Sequence, residues 1–148
     1  TDSTAASAGW YWQFNRKQGY SHDGATLTPS WTITSINENS DWTSDQDPCT
    51  LELGEGWRLP TSTEWTNADS NGSWGDYDDT YASDLKLHAA GYLVDSDGSL
   101  DYRGSYGCYW CSTQGSSTYG YSLLVSDFDC LVSNVDKACG FSGRCLKD

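Results

Sequence analysis

The sequence predicts an α+β fold of mainly antiparallel strands, with one or two short helices and long irregular loops, stapled by disulfides. Three observations predict it. Ring-rich and alternating runs are short and are separated by clusters of Gly, Ser, Asn and Asp, the punctuation of strands and turns. One S/T-x-x-E pattern just ahead of a Trp marks a helix start. Six cysteines, an even number, fit a disulfide framework in an oxidising compartment. The 148 residues make one domain, 9–148, preceded by a small, polar segment 1–8 that reads as a flexible arm.

Taken in order, Trp10–Phe14 is a first strand, rich in rings. Residues 15–48 are turn-rich, with a strand over Ser30–Ile36 and a helical turn near Ser40–Gln46. Residues 69–79, DSNGSWGDYDD, form an acidic loop broken by Gly. Leu85–Val94 is a strand kinked at Gly91, and Asp95–Asp101 is a turn. Strands follow at Tyr106–Thr113, Tyr119–Asp127 and Gly140–Leu146, the first two joined through a QGSS hairpin loop.

The stretch GWRLPTSTEW, Gly56–Trp65, holds enough aromatic and polar chemistry to resemble an active site. Local geometry gives it a folding role instead. Thr61 and Glu64 form a capping box, each side chain accepting from the other's amide. Pro60 and Trp65 occupy the two positions of a hydrophobic staple. Pro60 also holds Leu59 extended, so Trp57, Arg58 and Leu59 form an extended segment and the helix ends by Asn67–Gly72. Only Arg58 is left without a structural partner in this reading.

Composition excludes several functions. With 21 acidic against 8 basic residues the net charge is -13, so nucleic acid is not an expected partner. No apolar run approaches the roughly 20 residues of a membrane span, and no membrane insertion is expected. The opening TDSTAASAG carries no signal-peptide pattern and reads as a mature or trimmed N-terminus. The core has to be aromatic, because 8 Trp, 10 Tyr and 3 Phe stand beside no Met. A zinc site is the rival reading of Cys108-Tyr-Trp-Cys111, but Cys139 and Cys145 are too widely spaced to complete a ribbon or finger.

Five ordered motifs resemble one bacterial family: DPC at Asp47–Cys49, GWRLPTSTEW, AAGY at Ala89–Tyr92, RGSYGCYWCST at Arg103–Thr113 and GFSGRCLKD at Gly140–Asp148. The family is the Fibrobacter succinogenes major paralogous domain of secreted and surface proteins in Fibrobacter and Bacteroidetes. It looks like a branch of the C-type lectin-like fold, close to the formylglycine-generating-enzyme type. Trp57, Arg58, Leu59, Pro60, Thr61, Glu64 and Trp65 are then its fold signature. The resemblance implies a pairing of Cys49 with Cys145, a closure worth about 4–5 kcal/mol in the chain-entropy model. Cys108, Cys111, Cys130 and Cys139 depart from the usual motif and allow three pairings. Hairpin geometry favours Cys108 with Cys130 and Cys111 with Cys139; Cys130 with Cys139 and Cys108 with Cys111 is the close alternative.

Three functions follow. The resemblance implies a secreted or cell-surface binding and adhesion domain, not an enzyme, recognising a glycan or a surface protein through loops. Candidate ligand residues are Tyr109, Trp110, Tyr119, Tyr121, Asp127, Asp129 and Asn134, rings for sugar faces and polar groups for hydroxyls. No cofactor is expected, with calcium the one possibility: Asp95, Asp97 and Asp101 carry oxygens at alternating positions, as do Asp69 and Asn71, although Asx turns explain both. The second function is a filament or appendage subunit that assembles with other copies of itself through residues 1–8. The third, formylglycine-generating-type oxidation, would need Cys139 and Cys145 as free thiols to hold copper. His22 and His88 lie near no nucleophile motif. Asp2-Ser3-Thr4 resembles an O-glycosylation acceptor and Asn71-Gly-Ser73 is an N-linked sequon.

Overall fold

The structure is a computed structural model and describes residues 8–148. Most of the arm, with its Asp2-Ser3-Thr4 pattern, lies outside the described residues. Ala8, expected in the arm, instead belongs to the domain, buried with Tyr11, Tyr20, Ala90 and Leu93.

The chain is mixed α+β with antiparallel pairing of its named strands. Strands β1 (Tyr11–Trp12), β2 (Gly19–His22) and β3 (Leu27–Thr28) form a small antiparallel sheet. Helix α1 (Pro48–Leu53) and strand β4 (Trp57–Arg58) lead into helices α2 (Ser62–Gly72) and α3 (Tyr77–Ala82). Strands β5 (Tyr92–Leu93) and β6 (Leu100–Asp101) make a hairpin. The central sheet is β7 (Gly107–Gln114), β8 (Tyr119–Val125) and β9 (Cys130–Asp136), in that order. Strand β10 (Leu146–Lys147) returns to pair with β4.

The segment 140–142 ties these pieces together. Gly140 bridges Leu93, Phe141 bridges Trp12 and Ser142 bridges Tyr109. Both faces of the central sheet are therefore covered. One packs Trp65, Tyr77 and Leu87 over Tyr109, Cys111, Leu123 and Val125. The other packs Phe14, Trp42, Leu59 and Phe141 over Cys108 and Trp110. Trp110 sits at the centre, stacked on Phe141 at 4.6 Å and edge-on to Phe14 at 5.3 Å. The aromatic core that the composition demands is present.

Several expected elements change. The acidic loop 69–79 is largely helical at its ends, because Asp76 caps α3 and Asp78 and Asp79 sit where the helix dipole favours negative charge. Among the described residues, three named helices form where one or two were expected. Strand β9, unassigned from the sequence, completes the central sheet with seven cross-strand pairs to β8. Leu85–Val94 and Gly140–Leu146 shrink to short strands and bridges. At Gly91 the backbone has φ 68°, and a Cβ would lie 2.2 Å from the carbonyl oxygen of Asp101.

Ser30–Ile36 forms no strand. Side chains hold this region instead of a ladder. Buried Gln13 donates through Nε2 to the carbonyls of Ile33 and Ala138. Lys137, fully buried, donates from Nζ to the carbonyls of Glu38 and Ser40 and to Gln114 Oε1, and lies 4.8 Å over the Phe14 ring. The expected turn near Ser40–Gln46 forms, closed by the amides of Gln46 and Asp47 on the Thr43 carbonyl.

GWRLPTSTEW folds as its local chemistry dictates. Thr61 Oγ1 accepts from the Glu64 amide at 3.2 Å, and Glu64 Oε2 accepts from the Thr61 amide at 2.8 Å. Arg58 also has a role. Its guanidinium grips both oxygens of Glu64 at 2.8 Å each and reaches Asp148. Buried Asp47 caps α1 and accepts from the Leu59 amide at 2.9 Å, joining the DPC and WRLP segments. Among the described residues, no helix is long and apolar enough to cross a membrane.

Candidate functional site

The seven ligand candidates do not converge on one site. Tyr109 and Trp110 are 5% and 0% exposed, and their polar tips are already used. The Tyr109 hydroxyl donates to the His88 carbonyl and accepts from the His88 amide, while Trp110 Nε1 donates to the Trp12 carbonyl. These two rings are core, not platform. Alternation along β7 cannot expose either one because both sheet faces are covered. Tyr119 and Asn134 are exposed near one end of the β8–β9 pair, beside partly buried Tyr121. Asp127 and Asp129 flank the exposed Phe128 in the turn at the other end. The seven residues from Tyr119 to Val125 span six strand steps and separate the two ends by about 20 Å.

The three calcium candidates have local structural roles. Asp97 Oδ1 accepts from the Ser99 amide in an Asx turn, and hydrogen bonds from Ser99 hold its carboxyl below the usual range. The Asp95 carbonyl accepts from Trp31 Nε1, and Asp101 stands in β6 opposite Tyr92. Among the described residues, no three His, Cys, Asp or Glu side chains gather into a group that would hold a metal. His22 is buried, accepts from the Gly24 amide through Nδ1 and has its pKa lowered by burial. Asn71, the sequon residue, is exposed in the last turn of α2.

Cys49 and Cys145 form a disulfide with Cα atoms 5.4 Å apart, as the resemblance implies. The other four cysteines are thiols. Both favoured pairings fail for one reason: each bond would have to cross the central sheet. Cys111 and Cys130 lie on the face with Tyr109, and Cys108 and Cys139 on the face with Trp110. Burial pushes all four thiols up to about 12, the Cys139 charge adding to the effect at Cys108. With Cys145 bonded to Cys49, the Cys139–Cys145 thiol pair needed by the oxidase reading does not exist in this structure.

A surface cleft that the sequence did not single out lies beside the β1–β2 hairpin. Trp10, Trp12, Lys17, Gln18, Gly19 and Glu52 line an open cleft of about 420 Å³. The Trp10 ring is 54% exposed and Trp12 is half-buried. Gly19 forms the floor; a Cβ there would stand 3.0 Å from Trp10 Cε3 and 3.1 Å from Trp12 Nε1. Trp12 is fixed from behind. Its amide and carbonyl both bond Phe141, and its carbonyl also accepts from Trp110 Nε1 at 2.6 Å. Glu52 comes from the exposed C-terminal half of α1, and Lys17 and Gln18 come from the β1–β2 connection. A smaller apolar groove of about 210 Å³ shares Trp12 and Glu52 and continues past Pro48 and Leu53. The signal in the sequence was Trp-x-Trp. Period-two alternation puts both indoles on one face and buries Tyr11 on the other. No family model matches the chain, and no curated protein or solved structure matches it.

Proposed function

We propose that this chain is an extracellular binding domain of C-type lectin-like design, and that it holds a glycan on the Trp10–Trp12 cleft. The observation that carries the reading is the pair of indoles, one of them more than half exposed, over a glycine floor and beside Lys17, Gln18 and Glu52. An indole offers an apolar face and a polar tip, which suits a sugar ring with its axial C–H face and its rim of hydroxyls. The carboxylate, carboxamide and ammonium at the edge are hydroxyl partners. The Cys49–Cys145 disulfide fits an oxidising, extracellular setting. The net charge of -13 argues for a neutral or cationic ligand over a polyanion.

A glycan array with the intact chain tests this, followed by titration of the best glycan against Trp10→Ala. Trp10 packs on Gly19 at the surface, so its removal spares the core. Affinity should fall about 30-fold, the loss of a central aromatic anchor. No binding on the array, or binding that Trp10→Ala leaves unchanged, refutes the assignment. A chain that self-associates through this face would instead show a concentration-dependent oligomer that Trp10→Ala abolishes.

A further inference from the structure

Cys108 and Cys139 share one place in the fold that no other pair of the four thiols shares. Both line an apolar cleft of about 280 Å³ with Tyr92, Leu124, Val135 and Phe141. Their backbones are linked as well, because the Cys108 carbonyl accepts from the amide of Ser142, three residues beyond Cys139. The remaining combinations are closed by geometry. Cys108 and Cys111 sit on opposite faces of β7, and Cys130 faces away from both Cys108 and Cys139. Cys111 and Cys130 share a face but not a neighbourhood. Cys130 is in register with Val125, and Val125 with Gly107, so Cys111 lies four residues farther along and two strands away. That is about 13 Å along the strands and about 9 Å across them, beyond the roughly 7 Å Cα separation that a disulfide spans.

We propose that Cys108 and Cys139 are a thiol-modification site that closes into a second disulfide, and that Cys111 and Cys130 remain buried thiols. The oxidant is a small disulfide, such as oxidised glutathione. Cys139 is the partly exposed thiol and attacks first, as the thiolate. Its sulfur bonds one sulfur of the small disulfide and expels the other as a thiolate. Cys108 then loses its proton to solvent and attacks the Cys139 sulfur, expelling the second small thiol. One small disulfide is consumed, two small thiols are released and one protein disulfide forms. The new bond would tie residue 139 to β7, as Cys49–Cys145 ties residue 145 to α1. Burial, which raises both thiols, makes the closure slow at neutral pH and faster at alkaline pH.

The test is to incubate the folded chain with oxidised glutathione at pH 7, 8 and 9, block free thiols after denaturation, and map peptides without reduction. The expected map links Cys108 to Cys139 and Cys49 to Cys145, with Cys111 and Cys130 alkylated. The rate should rise about tenfold per pH unit, and oxidation should raise Tm by about 10 °C. Cys108→Ser should trap glutathione on Cys139. Should that variant fail to fold, Cys111→Ser/Cys130→Ser should keep the Cys108–Cys139 link intact. A Cys111–Cys130 or Cys108–Cys111 link, or a Cys108 that stays alkylatable after oxidation at pH 9, overturns the assignment.

Discussion

Replacing Glu64 by Gln isolates one ion pair in the segment that joins β4 to α2. Glutamine keeps an oxygen for the Thr61 amide, so the capping box survives. What is lost is the charge facing Arg58, whose guanidinium grips the carboxylate in two 2.8 Å bonds. These bonds, helped by those from Thr61, hold the Glu64 carboxyl at about 2 against an ordinary 4.5. Full linkage of that difference would be about 3 kcal/mol. The side chains are 31% and 36% exposed, so solvent screening reduces it to about 1–2 kcal/mol. The sign follows from the depressed pKa. The stabilisation is complete above pH 4.5 and is lost as pH falls through about 2. Thermal unfolding by circular dichroism should place the variant about 3–6 °C below the parent at pH 7. The gap should narrow between pH 4.5 and pH 2. Equal Tm values at pH 7, or a gap undiminished at pH 2, would refute the reasoning.

Two further substitutions probe the core. Lys137→Met strips the Glu38 and Ser40 carbonyls and Gln114 Oε1 of a charged donor while keeping the aliphatic stem. It should cost about 3 kcal/mol in urea unfolding, with faster amide exchange at Glu38, whose amide is bonded to the Ser117 carbonyl; unchanged stability and exchange would show that the lysine clamps nothing. Gly91→Ala places a methyl 2.2 Å from the Asp101 carbonyl oxygen at φ 68°. It should cost about 3 kcal/mol or more, through strain and loss of the β5–β6 hairpin; a Tm within 2 °C of the parent, a shift of under about 1 kcal/mol, would contradict it.

Features that depend on a few neighbouring residues were legible in the chain. The capping box at Thr61 and Glu64 needs only four consecutive residues, and it forms as read. The hairpin between β7 and β8 turns where QGSS sits, with the amides of Gly115 and Ser116 on the Tyr119 carbonyl. The aromatic core follows from a composition with 8 Trp, 10 Tyr and 3 Phe and no Met. Arg58 looked idle in sequence because one of its partners, Asp148, is 90 residues away. Ser30–Ile36 looked like a strand because it has β-branched residues, yet Gln13 holds it at Ile33, and Lys137 holds the residues that follow at Glu38 and Ser40. Local propensity gives no sign of such tethers.

The candidate site was legible only in part, and the reason is packing. Strand alternation tells which side chains share a face, but not which face is covered. Trp10 and Trp12 share a face, and so do Tyr109 and Cys111. Only the tertiary structure left the first pair at the surface and buried the second beneath α2. The same holds for the cysteines. Their number argued for oxidation, while their pairing depends on which side of a three-stranded sheet each one occupies. Sequence alone determined the composition of the core and the local turns and caps, since those arise within a few residues. The fold decided exposure, thiol neighbours and the place of the cleft, because each requires chain segments about 30 to 130 residues apart to meet, as at the Trp12–Phe141 bridge.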